Sequence, residues 1–284
     1  MAGDDGAVAE GSGAAPDPWG PLRRHTPARV GLGRTGHALP LRHVLDFQLA
    51  HAQARDAVHQ PVDFAALRAG LAGRPVVEVR SAAADRGVYL RRPDLGRRLD
   101  PRDAERLEGR EGLDGPEGGA LVIVVADGLS ATAVHRHALP LLEELWPLLG
   151  AVDPSLGDGG PGVPVVLASQ ARVALGDEIG ALLGARLVLV LIGERPGLSA
   201  ADSLGAYLTY GPRPGRSDAE RNCVSNIHPP AGLGHGAAAR VLASLLERSL
   251  RLGVSGVALE GGTPEGEPGV AGGPAGGELP AGGR

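Results

Sequence analysis

Residues Leu187–His228 read LVLVLIGERPGLSAADSLGAYLTYGPRPGRSDAERNCVSNIH, and the fold turns on how this stretch is parsed. Leu187–Ile192 is an unbroken apolar run with the length and branching of a strand buried on both faces. Gly193, Glu194, Arg195, Pro196 and Gly197 then set two charges among residues that end a strand, which predicts a tight, fixed turn. Ser199, followed three residues on by Asp202, reads as a capping box that opens a short helix carrying Leu204, Tyr207 and Leu208. A loop rich in Arg and Asp leads to a second strand, Cys223–Ile227, which ends in His228. Polar residues thus collect at the carboxyl end of the first strand, where ligands sit in open parallel sheets.

Outward from this stretch, strands and helices alternate. Leu121–Ala126 and Val163–Ala168 are apolar strands. The first passes through Asp127, Gly128, Leu129 and Ser130 into a helix that Pro140 is expected to interrupt. The second precedes a helix over Leu175–Leu183, with Asp177 and Glu178 near its positive end. Gly236–Leu252 closes the set, with Ala238, Val241, Leu242, Leu245 and Leu252 on one face. Alternation of this kind over residues 118–253 predicts an α/β fold with a Rossmann-like parallel sheet wrapped on both sides. Residues 21–117 are expected to form a smaller, mainly helical N-terminal part. In it, Leu41, Val44, Leu45 and Leu49 mark an amphipathic helix over Pro40–Ala57, Val76–Arg80 alternates like a half-buried strand, and Val88–Leu90 suggests another. Residues 1–20 lack periodicity, and 14 of the 24 residues from Gly261 to Arg284 are Gly or Pro. Both the 1–20 extension and the 254–284 tail are therefore expected to be disordered.

Composition narrows the function classes. The net charge of -5 and the seven aromatic residues offer neither the basic surface nor the stacking platform of a nucleic-acid binder. No apolar run reaches the roughly 20 residues that cross a membrane. A single cysteine, Cys223, excludes an internal disulfide, and the first residues lack the basic and apolar regions of a signal peptide, so a cytoplasmic chain is expected. All 28 basic residues are Arg. Several gather with acidic residues in RRPDLGRRLDPRDAER (Arg91–Arg106), which reads as a salt-bridged surface or, alternatively, a subunit interface or anion contact.

Ser130 invites comparison with a hydrolase nucleophile, but Thr132 stands where a nucleophile elbow needs glycine, and Ser130 reads better as a helix N-cap. Asp127 is suited either to a ligand hydroxyl or to tying down its own turn. No phosphate loop follows any strand, and the nine histidines make no metal-ligand set. There remains a sheet edge with Glu194, Arg195, Cys223, Asn226 and His228, suited to a large ligand held by many modest contacts.

Several long motifs, in order and spread over about Pro21 to Gly253, carry a resemblance: VVEVRS, YLRRPDLGRRL, ADGLSATAV, GERPGLSAADSLGAYLTY and PGRSDAERNCVSNIHPPAGL. Together they resemble the small subunit of the adenosylcobalamin-dependent ethanolamine ammonia-lyases. The resemblance implies a lyase that splits ethanolamine into acetaldehyde and ammonia, with the catalytic residues on a large partner subunit and none on this chain. It implies that this subunit helps enclose adenosylcobalamin at the interface, with Val173, Glu194 and Cys223 as cofactor contacts. Glu194 would accept hydrogen bonds from amide side chains of the corrin, Val173 would offer apolar surface, and Cys223 would pack where a bulkier residue would not fit. Asp-x-His-x-x-Gly, with which some cobalamin proteins replace the cofactor's own base, is absent, so base-on cofactor and no protein ligand to cobalt are expected. The resemblance also brings a bacterial microcompartment into view as a location, although residues 1–20 carry no amphipathic helix of the kind that serves as its tag. The alternatives are a binding module that keeps the fold without supporting turnover and, further off, a hydrolase using Ser130 and His228.

Overall fold

The computed structural model describes residues 18–26, 28–109, 119–157 and 162–260. In chain order the elements are α1 (Gly20–Arg23), α2 (Leu41–His59), α3 (Phe64–Gly70), β1 (Val76–Arg80), α4 (Arg86–Arg91), α5 (Pro101–Glu108), β2 (Leu121–Ala126) and α6 (Ala131–Val152). They continue as β3 (Val165–Ser169), α7 (Leu175–Leu182), β4 (Leu187–Gly193), β5 (Leu204–Tyr210), β6 (Arg221–Ile227), α8 (His235–Leu252) and α9 (Val257–Glu260). The strands form one sheet in the order β1-β3-β2-β4-β5-β6.

Its centre is what continuous apolar strands dictate. Every residue of β2 and of β4 is buried, and β1, β3, β2 and β4 run parallel. Of the remaining two, β5 runs against these four and β6 runs with them. β5 pairs antiparallel with β4, and β6 antiparallel with β5, so the sheet is mixed and the all-parallel expectation is corrected. The helix expected from Ser199 is likewise absent: Leu204–Tyr210 is a strand. Leu204, Tyr207 and Leu208 fit a helical spacing, but Leu204, Ala206 and Leu208 fit period 2 equally well, and pairing along the whole of β4 decides the matter. The Asp202 carboxylate, freed from any cap, reaches Arg136 and His137 of α6 instead.

Two apolar layers sandwich the sheet. On one face α6 lays Val134, Ala138, Leu141, Leu142, Leu145 and Leu149 against Leu121, Ile123, Leu189, Leu191 and Leu208, and α8 packs beside it through Ala238, Leu242 and Leu246. Pro140 and Pro147 lie inside α6 without interrupting it. An interior proline costs a helix about 3 kcal/mol, whereas each buried Leu returns roughly 1.5–3 kcal/mol, and α6 buries four. On the opposite face α5 and α7 cover Val77, Val79, Val122, Val124, Val166, Val188 and Val190. Arg221 makes two bonds, 2.6 and 2.7 Å, to Asp177 of α7, and both side chains are buried.

The N-terminal stretch differs in detail from its expected form. β1 is the edge strand of the main sheet, and Val88–Leu90 lies within α4, where the Asp85 side chain accepts from the Val88 amide and Tyr89 is fully buried. The apolar stripe of α2 faces outward: Leu41, Leu45 and Leu49 are 70%, 53% and 59% exposed. The expected 1–20 extension lies outside the described residues up to residue 17, and the tail outside them from residue 261. Gly253 closes α8 with a left-handed φ of 71°, and α9 follows within the stretch expected to be disordered. Leu259 is fully buried there, and the Gly256 amide donates to Asn222 Oδ1 at 2.7 Å.

Candidate functional site

Two turns meet at the carboxyl ends of β2 and β4. Gly128 adopts φ 56°, and a Cβ on it would lie 2.2 Å from the Gly193 carbonyl oxygen; a Cβ on Gly193 would lie 2.1 Å from that of Ser130. Only two glycines permit this approach, which the Leu129 amide completes with a 2.8 Å bond to the Gly193 carbonyl. Ser130 caps α6 by accepting from the Ala133 amide, and its hydroxyl donates to the Ala201 carbonyl at 2.7 Å. It is fully buried, while His228 Nε2 lies 2.7 Å from Asn226 Oδ1, so the described residues hold no Ser130–His228 pair for hydrolysis. Asp127 ties the end of β2 to the turn after β3: its carboxylate accepts from the Gln170 and Ala171 backbone amides at 2.8 and 3.0 Å. Burial pushes its pKa up, opposed by those amides and by Arg86.

A cleft of about 300 Å³ opens beside these turns, lined among others by Gly128, Arg172, Val173, Glu194, Arg195 and Tyr207. One wall is the Tyr89 ring, which Arg86 and Arg172 flank with guanidinium carbons 4.8 and 4.3 Å from its centroid. Glu194 is oriented from two sides: the Ser203 hydroxyl donates to its Oε2 at 2.5 Å, and the Asn226 amide donates to the same oxygen at 3.3 Å. The second contact depends on a bulge. Between Leu204 and Ala206 the β5–β6 register shifts, and Asn226 takes a left-handed φ of 62° that turns its amide toward Glu194.

Beyond the cleft the sheet face is bare. On β5 and β6, Leu204, Ala206, Leu208, Val224 and Ile227 point into the α6–α8 layer. Gly205, Tyr207, Cys223 and Ser225 alternate to the other face. On this face Arg221 and Thr209 are buried with Asp177 of α7, whereas Cys223 and Ser225 are exposed. Tyr207 and Cys223 are directly paired across the two strands. Desolvation, then the charge of Glu194, raises the Cys223 thiol against an opposing interaction with Tyr207, so the thiol is held protonated. Val173 and Glu194 line the same cleft, and Cys223 adjoins it through Tyr207.

The Glu194 loop is also held from behind. His137 of α6, 5% exposed, places Nε2 3.3 Å from Asp202 Oδ2 and Nδ1 3.1 Å from His235 Nε2 at the start of α8. Arg136 adds a 2.9 Å bond to the same Asp202 oxygen. Sequence reasoning missed Tyr89, Arg172, Ser203, Gly205 and Tyr207. Reading Leu204–Tyr210 as a strand would have put Tyr207 opposite Cys223, whereas Tyr89 gave no local signal.

The site of this α/β chain is a cleft at the carboxyl ends of β2 and β4, bounded by the oriented Glu194 carboxylate, arginines and a partly exposed sheet face, which gives it a surface able to hold a ligand. The sequence matches the family described as Ethanolamine ammonia-lyase light chain (EutC) over residues 16–260. The chain belongs to that family. Relatives named ethanolamine ammonia-lyase small subunit include one from Pseudomonas aeruginosa, 55% identical over 250 residues, covering 87% of this chain and 88% of that protein. Another, from Bradyrhizobium diazoefficiens, is 57% identical over 242 residues, 84% and 88% of the two chains, and a third, from Azotobacter vinelandii, is 53% identical over 255 residues, 89% and 92%.

Proposed function

We propose that this chain is the small subunit of an adenosylcobalamin-dependent ethanolamine ammonia-lyase, which converts ethanolamine to acetaldehyde and ammonia, and that its bare sheet face encloses the cofactor against a catalytic large subunit. The observation that carries this reading is the convergence of Val173, Glu194 and Cys223 around Tyr207 on one exposed face.

The residues present fit the group. Gly205 leaves the floor flat: a Cβ there would crowd Glu194 Oε1 at 3.0 Å and the Tyr207 ring at 3.1 Å. The oriented Glu194 carboxylate and the exposed Arg195 guanidinium suit a macrocycle rimmed with amides, which both donate and accept. Adenosylcobalamin, when bound, supplies the organic radical that starts the reaction. This chain's part is to bind and to exclude: Val173 and Tyr207 offer apolar surface, Glu194 fixes orientation through Ser203 and Asn226, and the neutral Cys223 thiol packs without ligating.

Co-expression with the large subunit and assay of acetaldehyde release tests the proposal, with and without adenosylcobalamin, for wild type and Glu194→Ala. Turnover is expected only with both chains and cofactor. Loss of a charged hydrogen-bond acceptor should weaken cobalamin binding about 10–100-fold. A stably assembled, cofactor-loaded complex with no turnover would overturn the reading.

A further inference from the structure

The arginine-rich segment Arg91–Arg106 has no part in the cleft. Two of its arginines are committed, Arg92 to Asp94 at 2.7 Å and Arg106 to Asp103 at 2.9 Å. Arg97 and Arg98, where the short turn Leu95–Arg97 runs toward α5, are exposed, and neither guanidinium makes a hydrogen bond or ion pair among the described residues. Both line an open basin of about 610 Å³. The carboxylates around it are taken: Asp94 by Arg92, Asp177 by Arg221, and Glu178 by the Leu99 amide at 2.8 Å. Arg216, also in the lining, is bound to Glu220 and to the Tyr210 and Gly211 carbonyls. Glu178 keeps its charge, so the charges of the basin without an ionic partner among the described residues are two guanidiniums and one carboxylate, a net positive excess. Ala174 lines the basin and Val173 the cleft, so the two hollows adjoin at the start of α7.

We propose that Arg97 and Arg98 receive an acidic segment of the large subunit, forming the charged rim of an interface whose centre is the cleft. This rests on the light-chain reading above. Arginine presents a planar fork that matches carboxylates and is weakly hydrated, which suits it to interfaces. Both forks are exposed in an open basin, as at an interface rim, and are not part of a buried cradle around a small ion. Rim charges act mainly on association and its salt dependence.

The test uses the co-expressed two-subunit complex, diluted and followed by analytical ultracentrifugation at low and high salt. The double variant Arg97→Ala/Arg98→Ala should dissociate at about ten-fold higher protein concentration than wild type at low salt. The two should converge as screening shortens the reach of charge, and Arg97→Lys/Arg98→Lys should recover most of the loss. Because neither side chain has a partner among the described residues, the thermal midpoint of the variants should match wild type. Identical dissociation at both salts would overturn the proposal. So would unchanged dissociation with weakened cobalamin binding, which would give the basin to the phosphate of the cofactor. Failure of the wild-type chains to assemble at all would instead sink the light-chain reading itself.

Discussion

A Cβ on Gly193 would meet the Ser130 carbonyl oxygen at 2.1 Å and that of Asp127 at 2.8 Å, and both obstacles are backbone. Nothing flexible can give way, so Gly193→Ala must separate the two turns. We expect it to destabilise the fold by about 1–3 kcal/mol, the usual cost of overpacking, read as a lowered thermal midpoint of the co-expressed complex. Gly197→Ala is the control, because its nearest neighbour is a carbonyl oxygen at an ordinary 3.5 Å. An unchanged midpoint for Gly193→Ala would show that the turns are not locked. The glycines of IGERPG announce a turn in the sequence, but the partner that makes Gly193 indispensable lies in a different turn, beyond the reach of local pattern.

At the scale of elements, α6, the Glu194 loop and α8 are joined by one buried imidazole. Desolvation sets His137 below the ordinary histidine value of 6.5, although Asp202 pulls upward, and His235 adds to the lowering. A folded-state value below the unfolded one means the stabilising contribution is present above pH 6.5 and is lost as pH falls through the folded value. The thermal midpoint of wild type should therefore drop on acidification below that range, and His137→Gln, which keeps a polar bridge but does not titrate, should drop less. Parallel curves for the two proteins would remove His137 from the linkage. The same region marks how far the sequence could be read. The apolar runs of β2, β3 and β4, the Ser130 cap and α8 were legible because each is fixed by local pattern. β5 was not, because Leu204 and Leu208 satisfy helix and strand alike and only the long-range pairing with β4 separates them. Val173, Glu194 and Cys223 came from resemblance, since each taken alone reads as core, ion-pair partner or small hydrophobe.

For the whole molecule, the distribution of apolar surface matters most. Leu41, Leu45 and Leu49 of α2 stand outward in one stripe, with Phe47 also 48% exposed, and α2 buries only Ala50 and Ala57. Exposed patches of this kind mark interaction sites or aggregation hazards. The chain expressed alone is expected to aggregate and to bind a hydrophobic dye, and co-expression with the large subunit should suppress both; size-exclusion chromatography with light scattering checks this. A monodisperse lone chain would contradict it. The meeting of Gly128 with Gly193 has a further consequence for the timing of events in the assembled protein. Turns that touch backbone to backbone move as one body, and the Glu194 side chain is pinned in addition by Ser203 and Asn226. This wall of the cavity arrives already set, so little ordering opposes binding. It is also unable to swing as a gate. On the light-chain reading proposed above, admission and release of the cofactor then fall to whatever closes over the opposite side.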